Sequence, residues 1–281
     1  MDPALPRGMA NLHRSKLLRA VEARPHRYER LRFFTTALSL VILFAIPLFG
    51  IARFDLWNGQ HLVLGRPTDP ITGGAAVLMA IAGFYLVTFL INAGWGRLFC
   101  GWGCPVGHVS RLVERTRLGR RHVGALLHAT GFAVLLATSV FLWWVSPQVF
   151  VAGSLRARLL AGAALLGLSV VVYLHGRYGA WRFCQQLCPI GLYYSAVQTG
   201  HRFGIHFDRA QCTDCDACAH ICPVDLDPRD LGALRSGIGG LALDEMPARN
   251  HCLSCGDCVR ACELTSRKRE VGPIALRLGP R

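Results

Sequence analysis

Four segments of the 281-residue sequence contain no Asp, Glu, Lys or Arg and are rich in Leu, Val, Ala and Phe. They cover about residues 33–52, 72–93, 123–145 and 159–174. A helix needs roughly 20 apolar residues to cross a hydrocarbon core of ~30 Å. The first three segments meet that length, and the fourth gains length if Arg156 and Arg158 extend toward the headgroups. Four long uncharged helices buried in a soluble protein do not suit so short a chain. The sequence therefore predicts an α-helical membrane protein with four transmembrane helices.

Basic residues are distributed unevenly among the segments that connect these spans. The chain has a formal net charge of +14. Eight Lys or Arg lie in residues 1–32 and six in residues 94–122, whereas residues 53–71 and 146–158 hold two each. Because basic residues mark the cytoplasmic side, we expect a multi-pass membrane protein with both termini in the cytoplasm. The basic excess then reports topology, and a nucleic-acid partner is not expected.

Eight of the twelve cysteines fall into two copies of one spacing near the C-terminus. Cys212, Cys215, Cys218 and Cys222 follow the spacing C-x2-C-x2-C-x3-C, and Cys252, Cys255, Cys258 and Cys262 repeat it. This is the ligand spacing of bacterial ferredoxins that hold two 4Fe–4S clusters. Structural zinc sites use paired C-x2-C units, and disulfides need an oxidising compartment. Two iron–sulfur clusters are the better interpretation.

The fourth cysteine of each run is expected to bind the cluster of the other run. One predicted ligand set is Cys212, Cys215, Cys218 and Cys262, and the other is Cys252, Cys255, Cys258 and Cys222. Alternating apolar residues flank the two runs and predict two short strands that pair to close a small module. These residues are Phe203, Ile205 and Phe207 before the first run, and Ile274, Leu276 and Leu278 after the second.

The sequence thus divides into three predicted parts. Residues 1–32 form a basic, partly disordered cytoplasmic lead, residues 33–200 a four-helix membrane domain, and residues 201–281 a cytoplasmic ferredoxin-like α+β module. Pro47 lies near the outer end of the first span, where a kink is tolerable. The outer connection contains Gly65, Pro67, Asp69 and Pro70, and is predicted to be a plain loop.

The remaining four cysteines belong to an internal repeat. Phe99-Cys100-x3-Cys104-Pro105 follows the second span and Phe183-Cys184-x3-Cys188-Pro189 follows the fourth, 84 residues later. Helical spacing resumes after each proline, through Val106, Val109, Leu112 and Val113 and through Ile190, Tyr193, Tyr194 and Val197. Proline suits the first position of a helix. Cys104 and Cys188 are therefore expected at helix N-termini near Arg97 and Arg182, where the pKa of a thiol is lowered.

The spacing alone leaves three interpretations of these C-x3-C-P motifs open. The two pairs meet across a pseudo-twofold axis and bind a metal or a small iron–sulfur centre with four sulfurs. Alternatively, each pair is a dithiol that is oxidised and reduced, because cysteines four residues apart on a turn come within bridging distance. In the third interpretation the cysteines are buried and inert.

Four spans, two C-x3-C-P motifs and two C-terminal cysteine runs together resemble the NapH family of ferredoxin-type membrane proteins. The resemblance covers roughly residues 30–265, and all twelve cysteines match. It implies a quinol dehydrogenase membrane component that passes electrons from quinol, through a NapG-like ferredoxin and a NapC-like multihaem cytochrome, toward a periplasmic nitrate reductase. The NosR and CcoG/RdxA families share a similar core. The loop 53–71 is shorter than in typical NapH proteins, and this departure bears on the final electron acceptor.

A quinol site requires a group that accepts protons as the electrons leave. Intramembrane ionisable residues are the first candidates. His128 lies about one turn inside the third span and His175 closes the fourth, both on the side of the cysteine motifs. One of them is a candidate proton acceptor in a quinol pocket. The simpler alternative is a histidine satisfied by a carbonyl group or a lipid headgroup.

Three functions are compatible with these features. The first is electron transfer between quinol and iron–sulfur clusters. The second is a membrane-bound reductase for maturation of a metal centre in a partner enzyme, as the resemblance to the CcoG family implies. The third is an assembly subunit whose clusters are structural.

Overall fold

A computed structural model of the protein describes residues 15–21, 26–118, 123–196, 202–235, 246–269 and 273–280. Helices dominate these residues. They are α1 (Arg27–Leu48), α2 (Pro70–Trp95), α3 (Leu98–Trp102), α4 (Pro105–Leu118), α5 (Val123–Phe141), α6 (Gln148–Val151), α7 (Leu155–Leu174), α8 (Ala180–Gln186), α9 (Pro189–Ala196), α10 (Ala217–Ile221) and α11 (Asp257–Arg269). The strands are β1 (Ala52–Arg53), β2 (His61–Val63), β3 (Arg66–Thr68), β4 (Phe203–Phe207), β5 (Leu234–Arg235), β6 (Met246–Pro247) and β7 (Leu276–Pro280).

Four helices are long and apolar enough to span a membrane. They are α1, α2, α5 and α7, the last of which continues as a π-helix over His175–Gly179. Each coincides with one charge-free segment, so the four predicted spans are confirmed as helices. Their outward faces expose large apolar side chains, such as Phe34, Leu78 and Leu166 at 66–67%. Apolar side chains exposed along entire helices are suited to contact with lipid.

The connection between α1 and α2 is not the plain loop that the sequence predicts. It forms a three-stranded antiparallel sheet in the order β1–β2–β3. The turn between β2 and β3 consists of Leu64 and Gly65, both with positive φ (50° and 76°), which matches the twist of a two-residue hairpin. The prediction was wrong because strands of two or three residues are too short to show alternation. The Phe54 N–H donates to the Trp143 carbonyl at 2.9 Å and ties this sheet to the end of α5.

The predicted strand pair of the C-terminal module is confirmed. Strands β4 and β7 are antiparallel, with Ile205 opposite Leu278. Strand β7 begins at Leu276, so Ile274 precedes it. Helices α10 and α11 pack against each other, and their buried faces form one apolar core with Ile205 and Leu276.

Part of the N-terminal lead also belongs to this core. Residues 15–21 are helical, and the side chains of Leu18 and Val21 pack into the apolar core of the module. The Arg260 guanidinium of α11 donates to the Val21 carbonyl at 3.1 Å. Residues 15–21 are therefore a helical part of the predicted lead, and its residues 27–32 begin α1. Residues 1–14 and 22–25 lie outside the described residues.

Candidate functional site

The two C-x3-C-P motifs form turns with the same hydrogen bonds. In the first, the N–H groups of Gly103 and Cys104 both donate to the Phe99 carbonyl, at 2.8 and 2.9 Å. In the second, the N–H groups of Leu187 and Cys188 donate to the Phe183 carbonyl, at 3.0 and 2.9 Å. A proline then opens α4 or α9 in the first helical position. The predicted repeat is thus a structural repeat, although Val197 lies outside the described residues.

A glycine at the same place in both motifs allows the helix to pass close to the first cysteine. A Cβ atom at Gly107 would lie 2.9 Å from the Cys100 carbonyl oxygen. A Cβ atom at Gly191 would collide with the Cys184 carbonyl oxygen. Both contacts are with backbone, which cannot move aside as a flexible side chain can. The repeat unit is therefore better written F-C-x3-C-P-x-G, a signal that was present in the sequence.

The thiols of these motifs are more strongly buried than the sequence suggests. Burial raises the pKa of Cys104 to about 12, and the N–H groups of Gly107 and Val106 at the start of α4 only partly offset it. Burial also raises the pKa of Cys100 and Cys184, against the charge of Arg97. The expected lowering by helix N-termini is wrong for Cys104, because loss of solvation outweighs the helix terminus. These groups are neutral thiols unless a metal takes the proton's place.

Arg97 joins the two motifs. Its side chain is 1% exposed, and the guanidinium donates to the Cys184 carbonyl of the second motif. The positive charge of the same guanidinium acts on the Cys100 thiol of the first motif, where it opposes the effect of burial on the pKa. Its Nε and Nη1 atoms are buried and have no hydrogen-bond partner among the described residues. A buried cation with free donors is costly unless an anion lies nearby, so this position is suited to thiolates or to an anionic cluster.

The two C-terminal cysteine runs form loops with the same backbone. In the first run Asp214 and Asp216 have positive φ (48° and 54°), and in the second Ser254 and Gly256 do (49° and 75°). These residues occupy matching positions, immediately before and after the second cysteine of each run. Left-handed residues at both positions tighten the loop, so that three cysteines can face one point.

Each predicted ligand set lines one cavity. The cavity beside β4 and α11 is lined by what we call the distal set: Cys212, Cys215, Cys218 and Cys262. A second cavity is lined by the proximal set: Cys222, Cys252, Cys255 and Cys258. In both, the fourth cysteine comes from the other run.

The donor set of each cavity fits a 4Fe–4S cluster better than a single ion. Among the described residues, no three Cys, His or carboxylate side chains converge closely enough to hold one metal ion. A four-iron cube does not require such convergence, because each thiolate binds a different iron atom. Four cysteines in each cavity therefore suit a cluster. The rest of the proximal lining is apolar, whereas the distal lining also includes Asp216 and Arg229.

The loop of the proximal set is docked on the first C-x3-C-P motif. The Trp102 indole N–H donates to the Ser254 carbonyl at 2.9 Å. A Cβ atom at Gly101 would collide with the Leu253 carbonyl oxygen, so only glycine permits this approach. Cys100 packs in the apolar cluster that includes Cys222 and Cys255. The membrane domain thus contacts the proximal set through the residues between Cys100 and Cys104.

A buried ion triad holds the same loop to α1 and α4. Asp257 accepts from the Arg32 guanidinium at 3.0 Å and from the Arg111 guanidinium at 2.5 Å. Arg32 also donates to the Cys255 carbonyl. Burial raises the pKa of Asp257, but Arg111 and then Arg32 outweigh it and hold that pKa well below its usual value. Sequence reasoning missed Arg32, Arg111 and Asp257, because Arg32 and Asp257 are 225 residues apart and no local pattern links them.

The structure places the two predicted quinol-site histidines differently. His128 is exposed on the surface of α5. His175 is half-buried, begins the π-helix, and packs edge-on against Phe183 with ring centroids 4.6 Å apart. The rest of the π-helix lines an open cleft with Glu114 and Trp181, whose indole N–H donates to the Glu114 carboxylate at 3.0 Å. His175 therefore lies beside a cleft at the level of the cysteine motifs.

Comparisons with known proteins agree with this site. The 4Fe-4S binding domain family matches residues 73–125 and 159–206, which contain the two C-x3-C-P motifs and end before Cys212. Ferredoxin-type protein NapH of Escherichia coli is 26% identical over 90% of this chain and 94% of its own length. Methylamine utilization ferredoxin-type protein MauN of Methylorubrum extorquens is 27% identical over 89% and 93%. Nitrogen fixation protein FixG of Rhizobium meliloti is 25% identical over 71% of this chain and 43% of FixG.

No solved structure matches the chain. The spans, the cysteine motifs and the matches define a membrane-associated, ferredoxin-type electron-transfer protein that binds iron–sulfur clusters. Within that class, the chain is similar to the ferredoxin-type NapH proteins, at 26% and 29% identity to those of Escherichia coli and Haemophilus influenzae.

The glycines of the repeat generate a first prediction. We expect Gly191→Ala and Gly107→Ala to lower the free energy of unfolding by about 1–3 kcal/mol, because the added methyl group overpacks a backbone contact. The effect should be larger at Gly191, where the contact is closer. Thermal unfolding of the purified protein in detergent measures it.

Gly162→Ala is the matched control, because a Cβ atom there meets nothing within 4 Å. Its unfolding midpoint should stay at or slightly above that of the parent protein. Equal midpoints for Gly191→Ala and Gly162→Ala would contradict the close approach.

Proposed function

We propose that this protein takes electrons from membrane quinol and passes them through iron–sulfur centres to a periplasmic reductase chain of the nitrate reductase type. The observation that carries the proposal is the docking of the proximal set on the first C-x3-C-P motif through Gly101 and Trp102. This contact gives a continuous path from the membrane surface to a cluster site. An assembly subunit with purely structural clusters would not need it.

The proximal set and the distal set each hold one 4Fe–4S cluster in this proposal. When bound, such a cluster stores and releases one electron at a time. The chain supplies four thiolates to each and excludes water from the proximal one, where Cys222, Cys255 and Cys258 are 7–9% exposed. Cys212, Cys215 and Cys262 are more accessible, which suits a distal cluster that faces a redox partner.

The four cysteines of the C-x3-C-P motifs are proposed to form one shared centre. Support comes from Arg97, whose charge acts on Cys100 in one motif and whose guanidinium donates to the Cys184 carbonyl in the other. The match of both repeats to a 4Fe-4S binding domain family points the same way. Two independent dithiols would not need a common buried cation.

Quinol is proposed to reach the cleft beside the π-helix. The wall of this cleft includes Glu114, Arg182 and the residues that follow His175. Functional sites frequently contain a π-helical turn. Here Gly176 lets the π-helix approach α4 closely, since a Cβ atom at this position would lie 3.0 Å from the side chain of Val109. His175 is the proposed proton acceptor. His128 is exposed on its helix and is the weaker of the two candidates.

The partners follow from the family. The resemblance to the NapH family implies a NapG-like ferredoxin and a NapC-like multihaem cytochrome, and we propose these as the redox partners. The proposed location is the bacterial inner membrane, with both termini in the cytoplasm, because the most basic segments share that side. In the alternative function, maturation of a metal centre in a partner enzyme, electrons enter from a soluble donor.

The crossed ligand sets can be tested with single cysteine variants. Cys222→Ala should remove the same cluster EPR signal as Cys252→Ala, and Cys262→Ala the same signal as Cys212→Ala. The reason is that the fourth ligand of each cluster comes from the other run. If Cys222→Ala instead resembles Cys212→Ala, each run binds its own cluster.

The docking contact can be tested with Gly101→Leu. Both clusters should still form, with about eight irons per chain, and dithionite should reduce them normally. Reduction by a quinol analogue should be slower by about tenfold or more, as for an added barrier of about 1.4 kcal/mol. Stopped-flow absorbance measures both rates.

Gly131→Leu is the control, since that position in α5 has open space around it. It should leave both rates unchanged. If quinol analogues never reduce the clusters of the parent protein while a soluble donor does, the maturation function replaces the proposal.

The third test concerns the C-x3-C-P thiols. Cys104→Ser and Cys188→Ser should abolish quinol-dependent turnover while the two C-terminal clusters keep their EPR signals. A shared centre predicts that both variants also lose the same metal, in excess of the iron of the two clusters. Turnover lost without loss of metal would identify redox-active dithiols, and unchanged turnover would identify inert cysteines.

A further inference from the structure

The proximal and distal sets lie in opposite electrostatic surroundings. Four thiolates outweigh the positive charge of an iron–sulfur core, so a ligated cluster is an anion and gains one negative charge on reduction. Nearby fixed charge therefore acts directly on the reduction potential. This effect depends on charged side chains that belong to the chain and can be replaced one at a time.

Three arginines and one carboxylate surround the proximal set. Arg32, Arg97 and Arg111 are 3%, 1% and 8% exposed, and the carboxylate is Asp257. Arg111 donates to Asp257, and its positive charge also acts on the Cys255 thiol. The positive charge of Arg97 acts on the neighbouring Cys100 and on Cys252. The net charge of these four side chains is positive, and because they are buried little water is present to screen it.

Some N–H donors of these arginine side chains have no hydrogen-bond acceptor among the described residues. Arg32 Nε, Arg97 Nε, Arg97 Nη1 and Arg111 Nη2 are buried without a hydrogen-bond partner among the described residues. A single carboxylate cannot neutralise three buried cations. An anion in the adjacent cavity would complete the balance, and a cluster bound by the proximal set is such an anion.

The distal set lies in an acidic segment of an otherwise basic chain. Residues 208–230 contain six Asp and two Arg. Arg229 lies among three of the carboxylates, those of Asp214, Asp216 and Asp227, at 3.7, 2.7 and 2.7 Å. An Asp214 carboxylate oxygen lies 3.6 Å from the Cys212 sulfur. The local balance here is net negative and more accessible to water.

Two further influences act on the proximal cluster. Backbone N–H groups donate to proximal sulfurs, from Leu226 to Cys222 at 3.3 Å and from Ser254 to Cys252 at 3.4 Å, and they favour reduction as the arginines do. Burial works against the proximal cluster, because the reduced form carries more charge and gains more from water. The charged side chains act in the other direction. Because the proximal guanidiniums are buried, they are screened far less than exposed groups.

We infer that Arg32, Arg97 and Arg111 raise the reduction potential of the cluster bound by the proximal set above that of the distal cluster. The inference rests on the proposed function, since it requires both clusters. It makes the cluster that touches the membrane domain the first to accept an electron. The distal cluster takes the second electron of a quinol, which releases two electrons and two protons in total.

The test is a redox titration of the purified full-length protein in detergent, followed by EPR. The parent protein should show two one-electron steps at different potentials. Arg111→Gln and Arg97→Gln should lower the reduction potential of the higher step only. The expected shift is about 59 mV, which at a fixed potential is a tenfold change in the ratio of reduced to oxidised cluster. Asp257→Asn should raise the same step, because it removes a negative charge from the same place.

Opposite signs separate an electrostatic effect from a structural one. If the substitutions instead damaged the loop, the reduction potentials of Arg111→Gln and Asp257→Asn would shift in the same direction, or both steps of the titration would broaden. Arg111→Lys keeps the charge and should retain the parent potential. Arg229→Gln, at the distal set, should lower only the lower step.

Two results would overturn the inference. One is a single common potential for the two clusters of the parent protein. The other is variants that retain about eight irons per chain and titrate like the parent. Failure of the proposed function is distinct, since it would appear as missing iron or as clusters that quinol cannot reduce in the parent protein. If Arg111→Gln loses its cluster, Arg97→Gln and Asp257→Asn decide the question.

Discussion

The whole arrangement depends on one buried carboxylate. Asp257 accepts from Arg32 on a membrane helix and from Arg111 on the helix that follows the first cysteine motif. Removal of one partner from such a group leaves an uncompensated buried charge, which costs several kcal/mol. The triad therefore fixes one position of the loop that carries Cys252, Cys255 and Cys258. The close approach of Gly101 to Leu253 and the hydrogen bond from Trp102 to Ser254 depend on that position.

The two kinds of cysteine motif become one system through this contact. The C-x3-C-P turns lie where the spans end, and each is closed by the same pair of hydrogen bonds. The C-x2-C-x2-C loops lie beyond them in the C-terminal module. Because the proximal set rests on the turn between Cys100 and Cys104, the thiols of that turn and the predicted cluster ligands of the module pack together.

Local sequence patterns predicted most of the fold. Charge-free segments identified all four spans, and alternation around Ile205 and Leu276 identified the strand pair. The cysteine spacings grouped the residues that line the two cavities, and the ligand assignment itself stays a prediction. The sheet between α1 and α2 was not predicted because its strands are too short to show alternation. The ion triad, the role of Arg97 and the close approach at Gly101 were not predicted because they join residues far apart in sequence. The direction of the pKa shift of Cys104 was wrong because a position at a helix N-terminus does not reveal how deeply the thiol is buried.

The helical segment at residues 15–21 has a consequence for how the protein is made. Its side chains Leu18 and Val21 pack with Ile221, Val259 and Leu276, which leave the ribosome more than two hundred residues later. Membrane insertion of all four spans therefore precedes closure of this core. Leu18 and Val21 must stay uncovered until those later residues have been synthesised. The docking of residues 15–21 is therefore a late step of folding, and a defect in it would interfere with assembly of the module rather than with membrane insertion.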